Sequence, residues 1–170
     1  VLMLETTADI SRRLTTILDI DQLLQEVVNS IQNAFGYYHV HVYLIDQMTG
    51  DLVMREGTGD VGRQLKAKGH KLQTGEGIVG KVAGSGEAFL VADVDEAPGF
   101  VRNPLLPKTQ AELAVPVRKG NTILGVLDMQ SEEVGSFSQE DLTLMQAIAD
   151  QVAVVLENAR LFREAHAATV

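Results

Sequence analysis

The sequence predicts an α/β domain, because two periodicities alternate along it: helical spacing of apolar residues near both ends and strict period-two alternation in two hairpin-like segments. Near the N-terminus Ile10, Leu14 and Ile17, then Leu23, Leu24, Val27, Val28 and Ile31, recur at helical spacings, which predicts two amphipathic helices joined near Asp19. Asp19 or Asp21 is suited to cap the second of these, and Gly36 stands where a helix gives way to a strand. His39 to Asp46 then alternates as HVHVYLID, and after a turn at Thr49-Gly50-Asp51 comes LVMREG, so a β-hairpin is expected.

The middle of the chain holds 11 of the 15 glycines, between Gly50 and Gly99, and should consist of loops and short elements. Within it, Ile78, Val79 and Val82 suggest a short helix from Ile78 to Ala83, followed by a strand, AFLVADV. Pro98, Pro104 and Pro107 make the next segment a loop with at most a turn or two of helix, a lid over whatever lies beneath it. ELAVPV and TILGVLDMQ form a second hairpin about the turn Arg118-Lys119-Gly120-Asn121. Ser138 with Asp141 three residues on resembles a capping box and opens a long helix. Leu142, Met145, Ala149, Val152, Leu156 and Ala159 form one apolar row on it, and Ile148, Val155 and Phe162 another. So wide a stripe is expected to cover the sheet with one part and to pack on a second copy of the chain with the rest. Ile10, Leu14, Ile17, Val152, Leu156 and Ala159 are therefore the expected homodimer interface.

Composition narrows the chemistry. At 170 residues and 45% hydrophobic the chain is large enough for one core. A net charge of -9, without a dense Lys/Arg cluster, disfavours nucleic acid and anionic membrane as partners. The absence of cysteine excludes disulfides, thiolate metal sites and sulfur-linked cofactors. No apolar run approaches the roughly 18 residues of a membrane span, so no membrane insertion by this segment and a cytoplasmic location are expected. Because the chain starts at Val1 and helical pattern reaches both ends, it is expected to be a segment of a longer protein.

AELAVPVRKGNTILGVLDMQS followed by FSQEDLTLMQAIADQVAVVLENARLF resembles the C-terminal half of a GAF domain, and the segments GEGIVGKVA and VADV add to the match. The resemblance covers residues 20–163, which leaves 1–19 as an N-terminal signalling or dimerisation helix, 138–165 as an output helix and 164–170 as a tail. It implies a central antiparallel sheet of about six strands, with the terminal helices on one face and a small-molecule pocket, formed with loops and short helices, on the other. Such domains sit in sensor histidine kinases, phosphodiesterases, cyclases and transcription regulators, and a bacterial two-component system is the expected host.

Strand alternation sorts the faces. Val40, Val42 and Leu44, Leu113, Val115 and Val117, and Leu127 and Met129 suit the helix-covered side. His39, His41 and Tyr43 then turn to the pocket side with Ala114, Asp128 and Gln130, and Phe89, Val91, Asp93 and, in the lid, Phe100 are further candidates for its lining. His39 and His41 have no third ligand at metal spacing, so they are read as a pocket-lining or surface pair and no metal site is assigned. His70 and His166 stand alone and receive no chemistry. Gly75, Gly77 and Gly80 are turn glycines, although a helix N-terminus near Gly77 suits a cyclic phosphate or carboxylate.

The expected function is a non-enzymatic regulatory sensor that binds an unknown small molecule and relays occupancy through its terminal helices. The alternative is a ligandless dimerisation and relay module. Cyclic nucleotides are the best known ligands that the resemblance implies, but the family's Asn-Lys-Phe-Asp-Glu signature is incomplete here: Phe137 and Asp141 match, Leu142 replaces the Glu and no Asn-Lys pair precedes Phe137. Covalent bilin needs a cysteine that is absent, as does the reduction of free methionine sulfoxide known in some members.

Overall fold

The computed structural model describes Ile10 and residues 19–168. Leu14 and Ile17 lie outside the described residues. Helix α1 (Ile20–Phe35) starts where the sequence places a cap: Asp19 Oδ1 accepts from the amides of Asp21 and Gln22 at 2.9 and 3.2 Å. It stops at Gly36, whose φ of 69° is left-handed and lets its N–H bond back to the Gln32 carbonyl. Strands β1 (His39–Ile45) and β2 (Leu52–Gly57) form the first hairpin, and β5 (Ala111–Lys119) and β6 (Thr122–Ser131) the second. β3 (Lys71–Leu72) and β4 (Phe89–Val91) complete one antiparallel sheet of six strands in the order β3-β2-β1-β6-β5-β4. The fold is thus the expected α+β architecture.

Each face of this sheet carries its own core. On the first, Val40, Val42, Leu113, Val115, Leu127 and Met129 pack beneath α1 and the C-terminal helix α4 (Gln139–Ala168), the arrangement that strand alternation predicts. On the second, Tyr43, Met54, Val126 and Ala114 meet α2 (Gly59–Ala67), α3 (Gly77–Ser85) and the loop that follows β4. The proline-rich loop contains one 3-10 turn, Val94–Glu96.

α2 is a helix in the stretch where the sequence reading expected loops and short elements and assigned no particular helix. Gly59, Gly62 and the charged Arg63 and Lys66 hide its amphipathic pattern, which rests on Val61 and Leu65. Gly62 is there for contact: its Cα lies 3.0 Å from where a Cβ on Gly57 would be. The helix is therefore pressed against the end of β2, with Lys66 paired to the buried carboxylate of Glu56 beside it.

α4 begins with a complete capping box. The Asp141 amide donates to Ser138 Oγ at 3.1 Å, and Asp141 Oδ2 accepts from the Ser138 amide at 2.7 Å. Asp141 Oδ1 also accepts from the Tyr37 hydroxyl at 3.1 Å, and Tyr37 stacks between Phe35 and Phe137. Burial, followed by the nearby Asp141 charge, raises the Tyr37 phenol well above its ordinary pKa. The start of α4 and the end of α1 are thus tied at one point.

The expected dimer residues require correction. Ile10, Val152, Leu156 and Ala159 are buried within the single chain, the first three in the core between helices and sheet. The second apolar row is also covered as far as Val155, where Ile148 and Val155 join the core that the helix shares with the sheet and α1. Of the apolar side chains on α4, Val154 and Leu161 are among those exposed. The helix runs on to Ala168, through the stretch expected to be a tail, with Arg160 paired to Glu157 and Glu164.

Two stability predictions follow from these contacts. Gly62→Ala raises helix propensity by about 1 kcal/mol, yet its Cβ would stand 2.0 Å from the Gly57 carbonyl oxygen, backbone that cannot swing aside. A net destabilisation of about 2 kcal/mol or more is expected in urea unfolding. Ser138→Ala removes the cap hydroxyl and should cost about 1 kcal/mol in the same measurement.

Candidate functional site

Cross-strand register builds the site from β1, β6, β5 and β4. One row on the second face runs His41, Asp128, Ala114 and Phe89, and the next runs His39, Gln130, Glu112 and Val91. Two rows of a sheet interior therefore hold five polar side chains: His39, His41, Glu112, Asp128 and Gln130 are all buried. Groups so placed persist only if they satisfy one another. Gln130 does most of this: its Nε2 donates to Asp128 Oδ2 at 3.0 Å, and its Oε1 accepts from the Thr109 hydroxyl at 2.6 Å. The second bond ties the end of the proline-rich loop to the sheet.

His41 Nε2 stands 2.6 Å from the same Asp128 oxygen. Burial, reinforced by repulsion from His70, lowers the His41 pKa to about 3, so the neutral ring donates through Nε2 and leaves Nδ1 as a bare acceptor. Burial likewise lowers His39 to about 2. Thr58 Oγ1 accepts from the Val40 amide at 3.1 Å and turns its hydroxyl toward His39 Nδ1, 3.4 Å away, which leaves the proton on Nε2 without a partner. The rings of His39, His41 and Tyr43 follow edge to face along β1, and His70 continues the file, its Nε2 3.1 Å from the Tyr43 hydroxyl.

Two carboxyl groups share this interior. Asp128 is fully buried, and desolvation raises its pKa to about 6 in spite of the hydrogen bonds from Glu112 and Gln130. Desolvation, followed by repulsion from Asp128, pushes Glu112 well above the carboxylate range, which favours its neutral form, able to donate a hydrogen bond to Asp128. No Lys or Arg pairs with either carboxyl among the described residues. The result is one buried negative charge, held by neutral donors.

This polar floor opens into a cavity of about 400 Å³. His41, Tyr43, Glu112 and Gln130 line it, with Leu65, Leu72, Ile78 and Val79 as apolar walls, and Phe100, Arg102 and Asn103 come from the loop. Of the residues expected at the site, His41, Tyr43, Phe100 and Gln130 thus border the cavity. Asp128 lies one layer behind, bonded to two of them.

The structure places the other expected residues away from the cavity lining. Ala114, Phe89 and Val91 do not line the cavity; Ala114 is buried in the second-face core, against which Phe89 and Val91 pack, and Ala114 stands between Asp128 and Phe89 within their row. Asp93 lies past the end of β4, where its carboxylate accepts from the Asp95 amide to cap the 3-10 turn, so it is a local turn residue. His70, read as a lone loop histidine, borders the cavity instead. Glu112 was missed although its parity with Ala114 placed it on this face; a carboxylate opening a strand reads as a solvated end.

Among the described residues no group of three His, Cys, Asp or Glu side chains could hold a metal ion, and no helix is long and apolar enough to cross a membrane.

A family model described as a GAF domain matches residues 17–157. The chain is 26% identical to GAF domain-containing protein A of Dictyostelium discoideum over 79% of its own length and 77% of that protein's. It is 31% identical to the Nif-specific regulatory protein of Azotobacter vinelandii over 77% of its length but only 26% of that protein's, so it spans about a quarter of that regulator. The GAF domain of a phosphoenolpyruvate-protein phosphotransferase from Coxiella burnetii superposes with a TM-score of 0.86 at 23% identity, covering 95% of this chain and 96% of that one. The free methionine-R-sulfoxide reductase of Neisseria meningitidis superposes with a TM-score of 0.83, also at 23% identity, over 94% and 90% of the two chains. At these identities the structural likeness is one of fold.

The raised Asp128 pKa has a stability consequence with a definite sign. The folded state binds the proton more tightly than the unfolded chain, so this contribution is fully present below about 4 and is lost as pH rises through about 6. The two histidines act oppositely: their contribution is present above about 6.5 and is lost as pH falls through about 3 for His41 and about 2 for His39. Comparing Asp128→Asn with the parent chain isolates the carboxylate. In urea unfolding the difference should move in the variant's favour between pH 4 and pH 6, by roughly 1–3 kcal/mol.

Proposed function

The chain belongs to the GAF domain family, and on that premise we propose that it is a regulatory sensor domain which binds a small organic molecule in the cavity on the second face of its sheet. One observation carries this reading. A cavity of about 400 Å³ has apolar walls and a polar floor where His41, itself buried, has a ring nitrogen without a partner. Buried polar atoms are normally paired, and a pocket with a few convergent polar groups among apolar walls is the usual form of a small-molecule site.

The relatives support a signalling host: the Azotobacter protein is a regulator, and a probable 3',5'-cyclic phosphodiesterase of Caenorhabditis elegans is 24% identical over 86% of this chain. In both the matched region is a minor part of the protein, so the output lies elsewhere in such hosts. Neither is a sensor histidine kinase, and the expectation of a two-component host rests on the sequence resemblance alone. The domain itself is proposed to be non-enzymatic: the sulfoxide reductases share its fold, but their chemistry in this family uses cysteine and the chain has none. Occupancy would reach the output through the Thr109–Gln130–Asp128 hydrogen bonds and the helices on the opposite face.

A ligandless relay module is the second reading, favoured by the exposed Val154 and Leu161 on α4. Thermal-shift titration against a panel of nucleotides, cyclic nucleotides and metabolites separates the two. At least one member should raise the melting temperature saturably, and Leu72→Trp, which fills the cavity from the edge strand, should abolish that shift without changing the far-ultraviolet circular dichroism. No saturable shift from any member, together with a concentration-dependent dimer in sedimentation, would establish the relay reading instead.

A further inference from the structure

Resting on the ligand-binding reading above, we propose that the cavity takes a ligand with a cationic nitrogen head, an ammonium or amidinium group, seated against Glu112 and the Asp128 charge behind it, with an apolar body between Ile78, Val79 and Phe100. A buried charge without a counter-ion is among the more costly arrangements a protein interior can hold. Here it survives on three neutral donors, His41, Gln130 and the protonated Glu112. The acceptor Nδ1 of His41 is without a partner, and no Lys or Arg among the described residues pairs with Asp128. The floor therefore combines an unfilled acceptor on His41 with a buried negative charge behind it, which suits a head carrying N–H donors and one positive charge. A carboxylate or phosphate head would add a second charge of the same sign and meet the lone pair of His41 Nδ1.

The groups facing the acid pair come from every neighbouring element. β1 supplies His39, His41 and Tyr43, which are uncharged at neutral pH. β6 supplies Gln130, and β4 supplies apolar Val91 across from Glu112. His70, also lining the cavity, is lowered by burial. Glu76, at the start of α3, adds negative charge that is felt at both Tyr43 and His70. Positive charge lies at the cavity lining in Lys68 and Arg102, and Arg102 is engaged by the Pro107 and Thr109 carbonyls. Among the described residues no Lys or Arg pairs with either carboxyl, and the proposed ligand supplies the counter-charge. Protonation of the pair removes the attraction, and amine affinity accordingly falls as pH drops through about 6.

The test uses three compounds of one shape, phenethylamine, 2-phenylethanol and phenylacetate, titrated calorimetrically into the whole chain at pH 8 and pH 5. The expected result is at least tenfold tighter binding of the amine than of the alcohol at pH 8, an advantage that shrinks severalfold at pH 5. Asp128→Asn should erase the advantage, whereas Glu112→Gln, which leaves the Asp128 charge in place, should keep most of it; the comparison of pH 8 with pH 5 in the parent chain reads the same charge without either substitution. Equal binding of amine and alcohol in the parent chain, or an amine advantage that persists at pH 5, overturns the cationic assignment and leaves the pocket intact. Preference for phenylacetate overturns it by placing the ligand charge at Lys68 and the first turn of α3. Failure of all three compounds, with a metabolite panel that also gives no shift, overturns the ligand-binding reading itself.

Discussion

The commitment of alternate residues on β1, β6 and β5 to opposite faces is the constraint from which the rest follows. These three strands form the middle of the sheet, and no residue in them can change sides without shifting the register of its neighbours. Val40, Val42, Leu113, Val115, Leu127 and Met129 fix one face against α1 and α4. Their partners in alternation, His39, His41, Glu112, Asp128 and Gln130, are thereby forced into the other. An apolar core on one side thus dictates where the polar cluster on the other side must lie.

That cluster is held together because its members solve one another's desolvation. Asp128 accepts from His41 and Gln130, Gln130 accepts from Thr109, and Glu112 keeps its proton beside Asp128. The histidines remain neutral in the same apolar surroundings that hold the acids above their ordinary pKa values. The arrangement is asymmetric in charge, since desolvation neutralises every group but one. Such a site is poised by electrostatics, and the loop fastened through Thr109 shares a hydrogen bond with its floor.

The first face works by a different physics. Its core is apolar and continuous, and α4 is anchored at its start by the capping box and the Tyr37 hydroxyl and along its length by two covered rows. Beyond Ala159 the side chains of residues 160–165 are exposed, and Arg160 pairs with Glu157 and Glu164 along the helix itself. Solvated pairs of this kind contribute little to stability.

The sequence by itself determined the periodic elements: the caps at Asp19 and Ser138, the turn at Gly36, both hairpins, and the face on which each residue of HVHVYLI and ELAVPV stands. These follow from local rules, because a strand's parity and a helix cap involve residues a few positions apart. It also placed His41, Tyr43, Phe100 and Gln130 at the cavity. It did not reveal α2, whose Gly62 is explained only by the approach of Gly57, nor the role of Asp93, which depends on where β4 ends. The acid pair was beyond it too, since Glu112 and Asp128 lie on neighbouring strands and their shared proton arises from burial. Nor does a wide apolar stripe state whether a second copy or the chain's own sheet covers it. Tertiary packing decided that: Val152, Leu156 and Ala159 are already buried in one chain, because α1 and the sheet meet α4 from two sides at once.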